Sequence, residues 1–391
     1  MTTNERHPIA RLPEEWGPAL AALGARVFAA KQVFSWIHRH GVTDPAAMSN
    51  LPARLRADLA ASGLAPVCTA EHVHRSADQT RKIAVRLADG ATVETVLLPA
   101  VSGPGSAAAI DADAAAVDDD EEDADGDAES AGPARIRVTQ CISTQVGCAM
   151  GCVFCASGVA GLKRQLGPEE IVGQVLLGRS LLDEGEELRN VVYMGMGEPL
   201  HNYEATARSL RLLTHPDGGG LSTRRVTVST SGLVPEIARL GQDFGGNIGL
   251  AISLHAADDD TRSALMPINR RYPLAELMAA LRAYPLRKRR RITIEYTLVA
   301  GQNDDVAEAK RLSRLLRGLP VKINVIPMNP IEASTLGPPN EARVLAFQRE
   351  LIAAGYTCFI RRRRGDDVAA ACGQLVLLGA KPKVKGLRPG E

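Results

Sequence analysis

The stretch RIRVTQCISTQVGCAMGCVFCASG (residues 135–158) decides how this chain is read. It begins as RIRVTQCIS, an alternating pattern suited to a half-buried strand, and runs straight into Cys148, Cys152 and Cys155, spaced CxxxCxxC. From there strand-like and helix-like patterns alternate almost to the C-terminus. The further strands are NVVYMGMG (190–197), RRVTVSTS (224–231), IGLAISLH (248–255), RITIEYTLV (291–299) and VKINVIPM (321–328). Helical patterns fall near 169–183, 204–214, 233–241, 273–284, 304–317 and 341–354. Six βα units in this rhythm predict an α/β fold: a parallel sheet with helices on its outer face, as a partial barrel or a doubly wound sheet. In a βα barrel the working residues sit at the C-terminal strand ends and in the loops that follow.

Working outward, residues 14–64 read as a compact helical module. AAKQVFSWIHRH (29–40) puts Val33, Trp36 and Ile37 on one face, and SNLPARLRADLAASG (49–63) supplies another capped helix. RKIAVRLADG (81–90) and ATVETVLLPA (91–100) read as a β-hairpin joined at a DG turn. Residues 100–133 are built from Ala, Asp, Glu, Gly and Ser and are expected to be a disordered insertion. This insertion holds 11 of the chain's 45 acidic residues and none of its 46 basic ones, so the remaining body carries a net charge of +12. A basic body points to a polyanionic partner. The expected organisation is a helical accessory module (1–70), a β-extension carrying Glu94 (71–99), the acidic insertion (100–133), a core barrel (134–378) and a tail (379–391). The polar start MTTNERHP lacks a signal-peptide core and no apolar run reaches membrane-spanning length, so a cytoplasmic location is expected. Seven cysteines, odd in number and with four of them between Cys141 and Cys155, suit metal or catalytic thiols better than a disulfide framework.

Three thiolates in one short loop reach a single cluster but leave one corner of a four-iron cluster without a protein ligand. S-adenosylmethionine (SAM) can fill that corner through its amino and carboxylate groups. The competing readings are a structural zinc site, which wants a fourth Cys or His, and a ferredoxin-like carrier. Phe154 before the third cysteine and the position after the first strand favour the cluster with SAM. MGMGEP (194–199) closes the second strand: Gly197 lets backbone approach a ligand, and Glu198 can accept from the SAM ammonium. Ser229, Ser253, His255 and Asn329 are polar residues that each close an apolar strand, and together they outline a ligand pocket. Cys141 and Cys372 are either reactive thiols or small buried hydrophobes; Cys372 follows the basic run Arg361–Arg364, which would lower its pKa. Cys68 and Cys358 are expected to be buried packing residues. Glu94, in an otherwise apolar strand, is a solvent-facing residue or a poised base.

The strings VETVLLP, CISTQVGCAMGCVFCASG, MGMGEP, RRVTVSTSG, LAISLHA, VKINVIPMNP and RGDDVAAACGQL, in this order, resemble the RlmN family of dual-specificity RNA methyltransferases, whose close relative is Cfr. The resemblance spans about residues 14–98 and 135–376 and excludes the acidic insertion and the tail. It implies a partial (β/α)6 TIM-type radical SAM barrel with a small N-terminal helical domain and a β-hairpin extension. It implies a [4Fe-4S] cluster on Cys148, Cys152 and Cys155, and SAM contacts at Gly197, Glu198, Ser229, Ser253, Leu254, His255 and Asn329. Two SAM molecules serve each turnover. One methylates Cys372; the other yields a deoxyadenosyl radical that takes a hydrogen from that methyl group. The thiomethylene radical then adds to carbon 2 of an adenine, and Cys141 resolves the adduct through a transient disulfide with Cys372. Glu94 corresponds to the family's proton acceptor, and the division of base work between Glu94 and Cys141 stays open. The implied partners are 23S rRNA, at an adenosine of the peptidyl-transferase region, tRNA, at the adenosine 3′ of the anticodon, and an electron donor such as flavodoxin or ferredoxin. Arg287–Arg291 and Arg361–Arg364 are the candidate phosphate contacts. A Cfr-like enzyme acting at carbon 8 would share both catalytic cysteines.

Overall fold

A computed structural model describes residues 6–22, 24–25, 28–100, 135–361 and 363–375. The expected disordered insertion and tail lie outside the described residues, apart from Ala100. The backbone is organised by one sheet of ten strands. The barrel strands are β4 (Ile136–Cys141), β7 (Glu186–Tyr193), β8 (Val226–Thr230), β9 (Gly249–Ser253), β10 (Ile292–Leu298) and β11 (Val321–Pro327). These strands run parallel and match the six anticipated segments. A further parallel strand, β12 (Thr357–Ile360), forms one edge of the sheet and was not anticipated, because four residues carry too little periodicity to read.

Ile294, Leu298, Ile323 and Val325 on β10 and β11 are fully buried. Burial of each such side chain contributes roughly 1.5–3 kcal/mol. The outer helices bury one stripe each. The helix Val234–Phe244 starts with proline in its first turn, buries Ile237, Leu240 and Gly241, and stops at Gly245 in the left-handed conformation.

The other edge is antiparallel. Strands β2 (Arg81–Leu87) and β3 (Thr92–Pro99) form the anticipated hairpin, and β3 pairs with β4. An additional strand, β1 (Cys68–Arg75), pairs with β2, so the extension has three strands rather than two. The N-terminal module packs its helix Ala29–His38 through Val33, Phe34 and Ile37. Arg179 fastens the module to the barrel by donating from Nη1 to the His38 carbonyl at 2.8 Å.

No described helix is long and apolar enough to cross a membrane. Because β10 begins at Ile292, the run Arg287–Arg291 sits at the N-terminal end of the parallel strands. That pole is opposite the strand ends that carry the site, so this run does not border it. Arg361, Arg363 and Arg364, which follow β12, do reach the site.

Candidate active site

The cluster loop lies between the short strand β5 (Gln145–Gly147) and the short helix Ala156–Ala160, which follows Cys155 directly. Backbone bonds set its shape: Cys148 donates to the Gly161 carbonyl at 3.2 Å, Val153 to Leu265 at 3.1 Å and Cys155 to Cys152 at 3.3 Å. The three thiols line one cavity. Burial, and then the neighbouring thiols, raise the pKa of Cys148 to about 12 and push Cys152 upward as well. Three such thiols are a poor array unless a cationic group completes them. Among the described residues no three His, Cys, Asp or Glu converge on a single ion. Thiols spread around one cavity wall suit a polynuclear group, in which each thiolate takes its own iron, better than tetrahedral zinc.

The strand ends form the remaining wall. Gly197 has φ +104°, and a Cβ there would fall 2.6 Å from Cβ of Gln145, so the MGMGEP turn lies tight against the loop leading to the cysteines. Glu198 is buried; its Oε1 accepts from Leu200 N at 3.0 Å and its Oε2 from Ser231 N at 2.7 Å. Burial raises its pKa, opposed by those hydrogen bonds. His255 has φ +59° and accepts at Nδ1 from Thr297 N at 2.9 Å, which leaves the ring proton on Nε2. Burial, and then Arg262, lower its pKa to about 3, so the ring is neutral. Phe154 meets it edge-on, with ring centroids 4.8 Å apart. Ser229, Ser253 and Asn329 also line the cavity.

Three buried polar atoms on this wall have no partner: Ser231 Oγ, Glu295 Oε2 and Asn329 Oδ1. Buried polar atoms are rarely left unpaired, and three around one cavity call for a polar occupant.

Cys372 joins this cavity to a second one. It lines both, together with Met194, Ile326 and Asn329, while Cys141, Val96, Leu98 and Arg361 line only the second. Cys372 is exposed where the two cavities open, yet desolvation by its surroundings still raises its pKa against the pull of Arg361, so the basic run does not lower it as the sequence suggests. Burial also raises the Cys141 pKa to about 12, with Cys372 adding to the shift. All seven cysteines are free thiols, and Cys68 and Cys358 are buried packing residues.

Two expected site residues face elsewhere. The side chain of Leu254 is buried in the hydrophobic core and its backbone N donates to the Glu295 carbonyl at 3.0 Å. Glu94 lines neither cavity; it is buried and ion-paired with Lys82 at 3.2 Å. Conversely, sequence reasoning missed Glu295, Thr297 and Arg262. Glu295 carries the same signal as Glu94, a carboxylate inside an apolar strand. Arg262 sits in DDTRSAL, which looks like a solvated helix, yet it is fully buried. It donates to the carbonyls of Leu254 (3.0 Å), Ser231 (2.7 Å) and Ser253 (3.3 Å) and to Asn269 Oδ1 (2.8 Å), binding the ends of β8 and β9 together.

The radical SAM superfamily model matches residues 142–312, and the ribosomal RNA large subunit methyltransferase N-terminal domain matches residues 18–63. The dual-specificity RNA methyltransferase RlmN of Sorangium cellulosum (strain So ce56) is 79% identical over 98% of this chain and 99% of its own length. The chain belongs to the RlmN family. The RlmN of Geotalea uraniireducens (strain Rf4) is 43% identical, covering 91% of this chain and 92% of that protein. A radical SAM methyltransferase from Sphaerobacter thermophilus superposes with a TM-score of 0.81 at 42% identity, over 94% of this chain and 98% of that one. As an RlmN-family radical SAM enzyme the chain uses a [4Fe-4S] cluster and SAM, and the cavity described above fits both. The family assignment selects RlmN over the Cfr-like alternative.

Proposed function

We propose that this enzyme methylates carbon 2 of adenosine in 23S rRNA and, in tRNA, of the adenosine 3′ of the anticodon, with Cys372 as methyl carrier and Cys141 as resolving thiol. The observation that carries the reading is the place of Cys372, which lines both the cluster cavity and the chamber holding Cys141. A methyl group received on one side can be delivered on the other with little movement. When bound, the cluster and SAM supply the methyl group and the one-electron chemistry that an electron-poor ring carbon requires.

The chain's own residues do the rest. Cys148, Cys152 and Cys155 hold the cluster, and Glu198, with the end of β8 fixed by Arg262, binds the amino-acid end of SAM. Ser229, Ser253 and Asn329 bind its nucleoside. Val96, Leu98 and Val192 give the second chamber apolar walls of the kind that receive an extruded base. Cys141 faces that chamber, whereas Glu94 is held by Lys82 outside both cavities. Arg363, exposed beside the chamber, meets the RNA backbone. Flavodoxin or ferredoxin supplies the electron, and the cytoplasm is where these RNAs are met.

The test is anaerobic cluster reconstitution followed by mass spectrometry of 23S rRNA and tRNA. The expected product is 2-methyladenosine in both. Its absence, or 8-methyladenosine in its place, would overturn the assignment.

A further inference from the structure

The segment that carries Cys372 has almost no regular structure of its own. Between Arg363 and Leu375 the only helical turn is the short 3-10 turn at 366–368. Neither a strand ladder nor a helix therefore fixes the thiol, and its place depends on tethers. Those on the cluster side are Asn329 Nδ2 to the Cys372 carbonyl (2.9 Å), Ala156 N to the Gly373 carbonyl (2.8 Å) and Ser157 Oγ to the Leu375 carbonyl (2.6 Å).

Lys82 on β2 also donates to the Ala369 carbonyl at 3.5 Å, and a further set of tethers comes from the turn between β1 and β2, at the far edge of the sheet. Asp78 divides its carboxylate between two tasks. Oδ1 accepts from Thr80 N at 2.9 Å and shapes the turn, while Oδ2 accepts from Arg364 Nε and Gly365 N, each at 3.2 Å. Arg364 also donates to the Asp78 carbonyl at 3.3 Å and to the Pro99 carbonyl at 2.8 Å. Asp367 reaches back in the opposite sense, accepting from Ser76 Oγ and from Ala77 N. Gly365, at φ +62°, leaves room for this approach; a Cβ there would come within 3.0 Å of Thr80 Cγ2. The turn is in turn secured to the barrel by Arg75, which bonds Asp183 at 2.8 Å, and by Arg81, which pairs with Glu186 at 2.5 Å. Burial opposes ionisation of Asp78, but hydrogen bonds from Thr80, Gly365 and Ser76 outweigh it and lower its pKa to about 2.

We propose that Asp78 is a positioning residue: through Arg364 and Gly365 it sets where the Cys372 segment starts, and so holds the thiol at the junction of the two cavities. The β-extension then has a task in the reaction although it supplies nothing to the cluster cavity. The inference rests on the reading of Cys372 as methyl carrier only for its functional meaning; the placement of the thiol can be measured separately.

The experiment uses the full-length, cluster-loaded enzyme with Asp78→Ala and Asp78→Asn, and, from the other side of the same contact, Asp367→Asn. Two readouts report where the thiol sits: the rate of Cys372 alkylation by iodoacetamide, and the yield of the Cys141–Cys372 disulfide on oxidation by diamide, which takes up the two electrons and two protons. Because Cys372 is already exposed, Asp78→Ala, which loses charge-assisted bonds, is expected to shift its alkylation rate about twofold and to lower the disulfide yield severalfold, with iron content and SAM affinity unchanged. Asp78→Asn, which keeps an acceptor for Gly365, should fall between. RNA methylation should drop in kcat rather than in KM for SAM. Should Asp78→Ala fail to fold, Asp367→Asn carries the same expectation in smaller degree. Wild-type alkylation and disulfide yield in the variants that fold would overturn the proposal, whatever the RNA assay shows. Altered thiol placement with no RNA product even from the wild type would instead uphold the positioning and count against the methyl-carrier reading.

Discussion

Asn329 donates from Nδ2 to the carbonyl of Cys372 at 2.9 Å and leaves its own Oδ1 unpaired in the cavity. One side chain thereby fixes the backbone of the proposed methyl carrier and offers an acceptor to whatever fills the adjoining cavity. Replacement by alanine removes both functions. Asn329→Ala is expected to weaken SAM binding by about tenfold, the worth of one buried hydrogen bond, as read by titration calorimetry on the reconstituted protein. An unchanged affinity would assign Asn329 to the Cys372 segment alone.

The two thiols that share the second chamber should fail differently. Cys372→Ala is expected to be inactive and to form no adduct with RNA. Cys141→Ala should still attack the adenine and then stall, accumulating a ribonuclease-sensitive, slow-migrating band on a denaturing gel. Identical behaviour of the two variants would refute the sequential roles, and a band from Cys372→Ala would exchange them.

Glu295 pairs in register with Ser253 on β9 and Asn324 on β10's other neighbour, β11, and its Oε1 accepts from Asn324 Nδ2 at 2.9 Å. Its Oε2 is bare on the cavity wall. Glu295→Gln keeps the volume but turns an acceptor into a donor or removes the charge facing Arg361. SAM affinity should fall roughly tenfold with little change in thermal midpoint. A stability loss without an affinity loss would make Glu295 a purely internal partner of Arg361.

Arg262→Met should be costly. It strips the donor from the carbonyls of Ser231 and Leu254 and from Asn269, all buried, and the expected destabilisation is about 3 kcal/mol or more by urea denaturation. Lysine, with one point of attachment, should restore only part of it. A variant as stable as the wild type would show that water replaces the guanidinium.

His38 gives a pH dependence whose sign follows from its burial. Burial, and then the charge of Arg179, lower its pKa to about 3 from an ordinary 6.5. Above pH 6.5 both folded and unfolded chains are neutral there, and the group adds no slope. Between 6.5 and 3 the unfolded chain takes up a proton that the folded one refuses, so stability falls as pH falls, by up to about 1.4 kcal/mol per pH unit. His38→Gln cannot protonate, and its unfolding free energy should decline less between pH 6.5 and 5 than that of the wild type. Parallel profiles from urea denaturation would sink this account.

What the sequence makes legible is local. Cys148, Cys152 and Cys155 are close in the chain, and Ser229, Ser253 and Asn329 each end an apolar strand, so spacing and strand position bring them to one wall. Arg262 escapes notice because nothing nearby in sequence reveals that its partners are strand-end carbonyls. The contact of Asp78 with Gly365 spans 287 positions and has no local signature. The run Arg287–Arg291 is conspicuous as a run, but only the parallel direction of β10 shows that it lies at the pole away from the site. Glu94 and Glu295 look alike as carboxylates in apolar strands, and only the side to which each is turned, toward Lys82 or toward the cavity, tells them apart.

The bonds from the β1–β2 turn to Arg364 and Gly365 also bear on how the protein is made. A nascent chain has its cluster loop long before its C-terminus, but the reactive thiol is seated only after β12 has formed and the two borders of the sheet have been brought together. Contacts so distant in sequence come late and depend on the intervening chain being in order. A truncated or half-folded molecule can therefore own the three-cysteine loop yet lack a seated Cys372, the proposed acceptor for the methyl group. Assembly of the catalyst is in this way its own inspection step, passed only by a finished molecule.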